Sequence, residues 1–475
     1  MPHGGAGSPS VTYRARQLAQ AARMIHERET DPRVGQWLGE CEAQPELMDD
    51  PHSPQATNVR EIRRDYDAAV KLPAQLVAQF SQAAAVSKHA WAQAKRANDF
   101  SHFRPHLEEM VRLCRAKAEC WGFAAGGEPW DALADRHEPG MNARDLESLF
   151  VPLRKSLVEI LNDAPDGGAY SDPLAGVHVP LDRQRAISRL VAERLGFDFS
   201  RGRCDESQHP FCLPLHRDDV RMTSRFREEN LLDGLGSTMH EAGHGIYNQN
   251  LPGGELLDTP AAMPLRYAIH ESQARLVENH VGRSRAFWRW GGEIVRRVSP
   301  ALDHVRDDEF FASSNLVRRG LIRTESDELT YNLHILVRFD LERALIGGEL
   351  QASDLPGAWA EKYRQYLGID VPDDARGCMQ DIHWSQGAIG YFPTYTLGNL
   401  YAAQFYAAAE SAIADLDEQL SRGEFGPLMH WLCEQIHRHG RRYSPAELCR
   451  RATGADLSPQ PLLSHLRRRF GPKAG

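Results

Sequence analysis

The 475-residue sequence predicts a mainly α fold, on three observations. Apolar residues recur at three- and four-residue intervals through most of the chain, Gly, Pro and Asp clusters punctuate those runs, and alternating strand patterns are scarce. The longest run, residues 74–123, is rich in Ala, Leu, Gln, Lys and Glu and reads as helix. Helical periodicity continues through 142–161, 181–195, 272–298, 328–346 and 397–420, separated by turn-formers such as DAPDGGAYSDP at 163–173. The best strand signal is DVRMTSRF at 219–226, enough for a small sheet beside the central motifs but not for a sheet-based fold. No internal repeat and no low-complexity linker cuts the chain in two.

Composition narrows the class of partner. With 41% hydrophobic residues, 25% charged residues and a formal charge of −9, the chain reads as a globular protein with no basic surface for nucleic acid or acidic membrane, leaving small molecules or peptides as ligands. The N-terminus MPHGGAGSPSVTYRARQ lacks the apolar run of a signal peptide, and no run approaches membrane-spanning length, so a cytoplasmic location is expected. The eight cysteines form no CxxC pair, which argues against both a disulfide framework and a thiolate zinc site; reduced, mostly buried thiols are expected.

The chemistry gathers at STMHEAGHGIYNQN, residues 237–250. On a helix, His240 and His244 stand four apart and share a face, while Glu241 lies about 100° around the axis, within reach of a water held by a metal ion. A chain of this composition would carry HExxH by chance roughly once in fifteen, so the five letters need context. The helix also carries Gly234, Gly236, Gly243 and Gly245, each costing roughly 1 kcal/mol relative to alanine, which points to the close approach of another backbone or a ligand. A catalytic zinc takes three protein ligands and leaves one position open. Downstream, AIHESQARLVENHVGRS offers His270, Glu271 and Glu278; Glu271 leads, Glu278 lies two turns along the same face, and a hydrogen-bonded or solvated role fits His270 and Glu278 better than a ligand role.

These residues belong to an ordered series that resembles the carboxypeptidase Taq family of metallocarboxypeptidases. HEAGH at 240–244 is followed by HESQ at 270–273 and preceded by HPF at 209–211 and by the D-x-R-x-T pattern at 219–223. IRTESDELTYNLHI at 322–335, the G-x-x-Q-D-x-H-W pattern at 377–384 and GYFPTYTLGN at 390–399 come after, and similarity extends from 91–111 to 436–454. The resemblance implies one peptidase domain over residues 1–475, helical with a deep central groove and a small sheet beside the active site. It implies a homodimer and divalent-metal-dependent release of C-terminal residues with broad specificity. Ala274 stands where a serine is common, and Cys212 where threonine usually follows HPF. In the family a helical segment of some tens of residues usually precedes a Met-Pro-Gly-rich turn, whereas MPHGGAGSPS begins at that turn, so the first helices are expected to be absent.

Carried over by motif, His240, His244 and Glu271 are expected to hold one zinc ion per chain, with cobalt(II) as the alternative ion, and Glu241 to act as general base. Tyr395 of GYFPTY, then His383 of QDIHW, are the candidate oxyanion donors, with Tyr391 able to replace Tyr395. Exopeptidase selectivity needs a cation for the free C-terminal carboxylate. Arg323 of IRTESDEL leads, followed by Arg221, for which pairing with Asp219 or another acid to brace the metal helix is the preferred reading; His209 of HPF completes the substrate-binding set. His334 reads as a core histidine, Asp327 and Glu328 as partners of a substrate amine or of a neighbouring arginine, and the arginine runs at 438–442 and 467–469 as solvated faces. The competing functional readings are a zinc endopeptidase or oligopeptidase with a narrow groove, and a non-catalytic peptide-binding protein.

Overall fold

The computed structural model describes residues 9–164 and 172–471; the first residues of the MPHGGAGSPS turn and most of the 163–173 loop lie outside them. The chain divides into two compact units: Met1–Val158 with Arg319–Ser326 and Thr330–Pro393, and Glu159–Arg318 with Asp327–Leu329 and Thr394–Gly475.

The first unit is helical among its described residues. The long periodic run at 74–123 is two helices, Ala74–Ala97 and Phe100–Trp121. The break is local: Asn98 takes a left-handed conformation at φ 51°, which asparagine tolerates, and Asp99 caps the next helix by accepting from His102 N. Phe103, Leu107, Met110 and Leu113 of that second helix are fully buried. Elsewhere in the unit, Trp130 and Phe150 each meet the Phe339 ring edge-on at 5.3 Å, the preferred geometry for aromatic pairs.

The second unit carries the central motifs. Strands β1 (Gly202–Glu206), β2 (Cys212–His216) and β3 (Asp219–Ser224) form a sheet of order β1-β3-β2, with β1 parallel and β2 antiparallel to β3. Alternation along β3 buries Val220 and Met222 and turns Asp219 and Arg221 outward. The helix Leu231–Gln249 lies on that buried face: a Cβ on Gly245 would stand 2.6 Å from Phe197 and 3.7 Å from Val220. Only β3 was legible as a strand, because β1 and β2 are short and largely exposed, without an apolar alternation. The run at 272–298 is broken too. Helix Tyr267–Arg275 passes into a π-turn, Leu276–Val281, and a new helix, Arg285–Val298, starts where the Ser284 side chain accepts from Phe287 N. Asp415, at φ 53°, likewise divides the 397–420 run into Pro393–Ala412 and Leu416–Ser421.

Candidate metal centre and active site

Asn230 starts the motif helix Leu231–Gln249 by accepting from Asp233 N. One turn of this helix separates His240 from His244, whose rings stand 4.9 Å apart and nearly perpendicular. Each ring is oriented through Nδ1, which lies 2.9 Å from Glu278 Oε2 in His240 and 3.1 Å from the His270 carbonyl in His244. Both Nε2 atoms therefore face inward, at 3.9 and 3.5 Å from Glu271 Oε2. The glycines explain how Glu271 comes so close. A Cβ on Gly243 would lie 2.6 Å from Gln273 O and 2.7 Å from Ala274 Cα, so the backbone of the neighbouring helix rests directly on Gly243. A Cβ on Gly398 would lie 2.7 Å from Glu271 Cγ, and Arg275 Nε donates to Glu271 Oε1 at 2.7 Å. Glu271 is thus held from three sides.

The three downstream candidates take three different places. Glu271 faces both Nε2 atoms; Glu278 stands on the far nitrogen of His240 and also accepts from Arg275 and Arg283. His270 stacks on the His244 ring at 4.4 Å, and its Nε2 lies 3.2 Å from Asn248. The orienting partners Glu278, Asn248 and Arg275 were not singled out as such by motif; the i, i+4 spacing of Glu271 and Arg275 was the one available signal.

The donor set fits a divalent cation. His240, His244 and Glu271 bring their ligand atoms within 4.8 Å of one another, two imidazoles and a carboxylate with partners already on their outer atoms. Three carboxylates, Glu241, Glu271 and Glu278, face two guanidiniums, Arg275 and Arg283, so the pocket favours positive charge. Burial disfavours a charged His240, but Glu271, Glu278 and Glu241 outweigh it and raise its pKa to about 8. Glu241 is 6% exposed, its Oε2 has no hydrogen-bond partner among the described residues, and burial raises its pKa. A buried carboxylate oxygen left open beside two histidines suits a proton acceptor.

Tyr395 is half-buried in the second unit, one turn before Gly398 on the helix that contacts Glu271. His383 and Arg323 belong to the first unit. The His383 ring packs at 4.4 Å on Phe392, and burial lowers its pKa to about 4, leaving a neutral imidazole. Tyr391 lies 5.6 Å from that ring. Arg323 is buried, with Nε and Nη2 on Asp381 Oδ1 at 3.0 and 2.8 Å and Nη1 on the Tyr331 hydroxyl, while Arg338 Nε donates to Asp381 Oδ2 at 2.7 Å. In the second unit Arg221 forms a bidentate pair with Asp219 on the exposed side of β3, and His209 is exposed. His334 is a core residue bonded to Tyr363, as expected. Glu328 pairs with Arg469, which corrects the reading of 467–469 as a solvated face at that one residue: Arg467 and Arg468 are exposed, whereas the Arg469 side chain is 8% exposed. All eight cysteines are free; three are buried and five half-buried.

The chain resembles known proteins over nearly its whole length. The sequence model for carboxypeptidase Taq (M32) metallopeptidases matches residues 2–470. Thermostable carboxypeptidase 1 of Thermus thermophilus is 42% identical over 466 residues, covering 96% of this chain and 91% of the relative. Carboxypeptidase 1 of Bacillus subtilis is 34% identical, covering 98% and 92%. The crystal structure of the M32 carboxypeptidase from Deinococcus radiodurans R1 superposes with a TM-score of 0.91 at 40% identity, covering 99% and 93% of the two chains. With an HExxH helix, a converging glutamate and a family match across nearly its whole length, the chain belongs to the carboxypeptidase Taq (M32) family of metallopeptidases.

Proposed function

We propose that this metallocarboxypeptidase works with one catalytic zinc ion held by His240, His244 and Glu271, cobalt(II) being the alternative, and removes C-terminal residues from peptides with broad specificity. The observation that carries the reading is the convergence of both Nε2 atoms on Glu271 Oε2 beside the buried, open Oε2 of Glu241. When bound there, zinc would supply Lewis acidity, lowering the pKa of a water and polarising the scissile carbonyl. Glu241 accepts the proton of the attacking water at its open oxygen and passes it to the leaving amine. Tyr395 donates its hydroxyl to the developing oxyanion, and its place one turn from the Glu271 contact supports this role ahead of His383.

Arg323 receives the free C-terminal carboxylate of the peptide. Two guanidiniums, Arg323 and Arg338, share the single Asp381 carboxylate, and the net positive charge supports that assignment. Arg221 and His209 contact the peptide in supporting roles. The motif resemblance further supports a homodimer; the cytoplasmic reading goes with the composition of the sequence, and among the described residues no helix is long and apolar enough to cross a membrane.

The test is mass spectrometry of a peptide ladder incubated with zinc-loaded protein, with a C-terminally amidated copy of the same peptide alongside. Stepwise loss of residues from the free end alone, abolished by a strong chelator, is expected. Equal cleavage of both peptides would point to an endopeptidase, and cleavage of neither to a peptide-binding protein.

A further inference from the structure

A second group of ligand-type side chains lies within the second unit, assembled from segments far apart in sequence. His280 on the π-turn Leu276–Val281, Glu328 at the start of helix Glu328–Gly347 and His465 on helix Gln460–Phe470 bring one ligand atom each to within 4.8 Å of one another. All three are at least nine-tenths buried. Glu328 Oε1 lies 2.8 Å from His465 Nε2, and Glu328 Oε2 accepts from Arg469 at 2.7 Å. The His280 ring is set between Tyr406, stacked at 5.1 Å, and His465 at 4.2 Å, yet its Nδ1 is buried without a hydrogen-bond partner. What sets this open nitrogen apart is its company, a carboxylate and a second imidazole at ligand distances, where an ion would satisfy it.

The arrangement repeats the chemistry of the first centre. There, Arg275 holds Oε1 of Glu271 while Oε2 faces two imidazoles; here, Arg469 holds Oε2 of Glu328 while Oε1 faces an imidazole with a second one beside it. We propose that His280, Glu328 and His465 form a second metal site, one that takes a divalent transition metal such as zinc in a structural role. Two imidazoles and a carboxylate select this class over magnesium or calcium, which prefer oxygen ligands throughout. Zinc bonds of about 2.0–2.1 Å in tetrahedral geometry place neighbouring ligand atoms about 3.3 Å apart, so His465 and Glu328 need only open slightly as the ion takes the place of the Nε2 proton, which moves to Nδ1 of the same neutral ring. A bound ion would tie the C-terminal helix to the π-turn that also carries Glu278, the orienting partner of His240. Nothing in the local spacing of these residues reveals the group: they lie 48 and 137 positions apart along the chain.

The test empties the first centre and counts metal in what remains. A His240→Ala/His244→Ala protein, loaded with zinc and dialysed, should retain one ion per chain by mass spectrometry of the elements. Adding His280→Phe, which keeps a ring against Tyr406, should reduce retention to less than about a tenth. Anomalous scattering at the zinc edge from crystals of the zinc-loaded wild-type protein should show a peak between His280, Glu328 and His465. No zinc on the doubly substituted protein, unchanged zinc after His280→Phe, or a single peak per chain in the wild type would each overturn the proposal.

Discussion

Gly243→Ala is a substitution that helix propensity favours and tertiary packing opposes. Alanine in a helix interior is more favourable than glycine by about 1 kcal/mol. At Gly243 the new methyl would stand 2.6 Å from Gln273 O and 2.7 Å from Ala274 Cα, both backbone atoms that cannot turn aside. Ordinary contact begins near 3.4 Å, so the strand of chain after Glu271 must retreat by about 0.8 Å. Such overpacking costs about 1–3 kcal/mol, against the propensity gain of about 1, leaving a net loss of about 0–2 kcal/mol in the metal-free fold. The effect on metal is larger, because ligand distances tolerate only about 0.2 Å and Glu271 sits two residues from the contact. Zinc affinity should fall at least tenfold, about 1.4 kcal/mol, measured by competition with a chromophoric chelator, with thermal unfolding in excess chelator reporting on the fold. Gly236 on the same helix has nothing within 4 Å of its added Cβ. Gly236→Ala should therefore stabilise by up to about 1 kcal/mol and leave zinc binding alone. A Gly243→Ala protein that binds zinc within about twofold of wild type would refute the argument that the bare glycine sets the position of Glu271.

The remaining predictions concern single groups. Glu241→Gln should keep the metal while lowering kcat at least about a hundredfold, because an amide cannot accept the water proton; a parallel loss of bound zinc would instead make Glu241 a ligand. Glu271→Ala should abolish tight zinc binding, whereas Glu278→Ala, which removes only the partner of His240 Nδ1, should cost about 10–100-fold; the reverse order would exchange their roles. Arg323→Ala should raise KM for peptides with a free C-terminus at least tenfold, about 1.4 kcal/mol, with zinc content unchanged, and wild-type kinetics for this variant would place the carboxylate receptor elsewhere. Glu342 is fully buried, and burial raises its pKa to about 7 despite N–H donors from Trp384, Gly390 and Trp130. Between its ordinary value and about 7 the folded state holds the extra proton, so the contribution of Glu342 to stability is fully present below about pH 4.5 and falls by about 3 kcal/mol as pH rises from there through 7. Denaturant unfolding of metal-free protein at several pH values should show this decline as the difference between wild type and Glu342→Gln, and parallel pH profiles for the two would refute it.

By itself the sequence determined the helical class, the HExxH face and the motif order, since each of these is a short-range pattern. Helix geometry alone puts His240 and His244 on one side and Glu241 beside them. Helix ends that depend on single residues were less legible: Asn98 and Asp415 in left-handed conformations divide runs whose apolar periodicity continues across them. The short strands β1 and β2 carry no alternation to read, and their pairing with β3 is what makes them strands. The choice among His270, Glu271 and Glu278 also lay beyond spacing, because all three share one stretch of chain. Packing distinguishes them: backbone resting on Gly243 and the Glu271 side chain resting on Gly398 bring Glu271 to the two Nε2 atoms, the π-turn carries Glu278 to the outer nitrogen of His240, and stacking on His244 engages His270. Tertiary structure likewise drew the Arg469 side chain onto Glu328 from an arginine run that reads as surface, and brought His280, Glu328 and His465 together. A local sequence rule reports what one element presents, but the partners of a buried charge or an open nitrogen are fixed by chain segments that meet only in the folded unit.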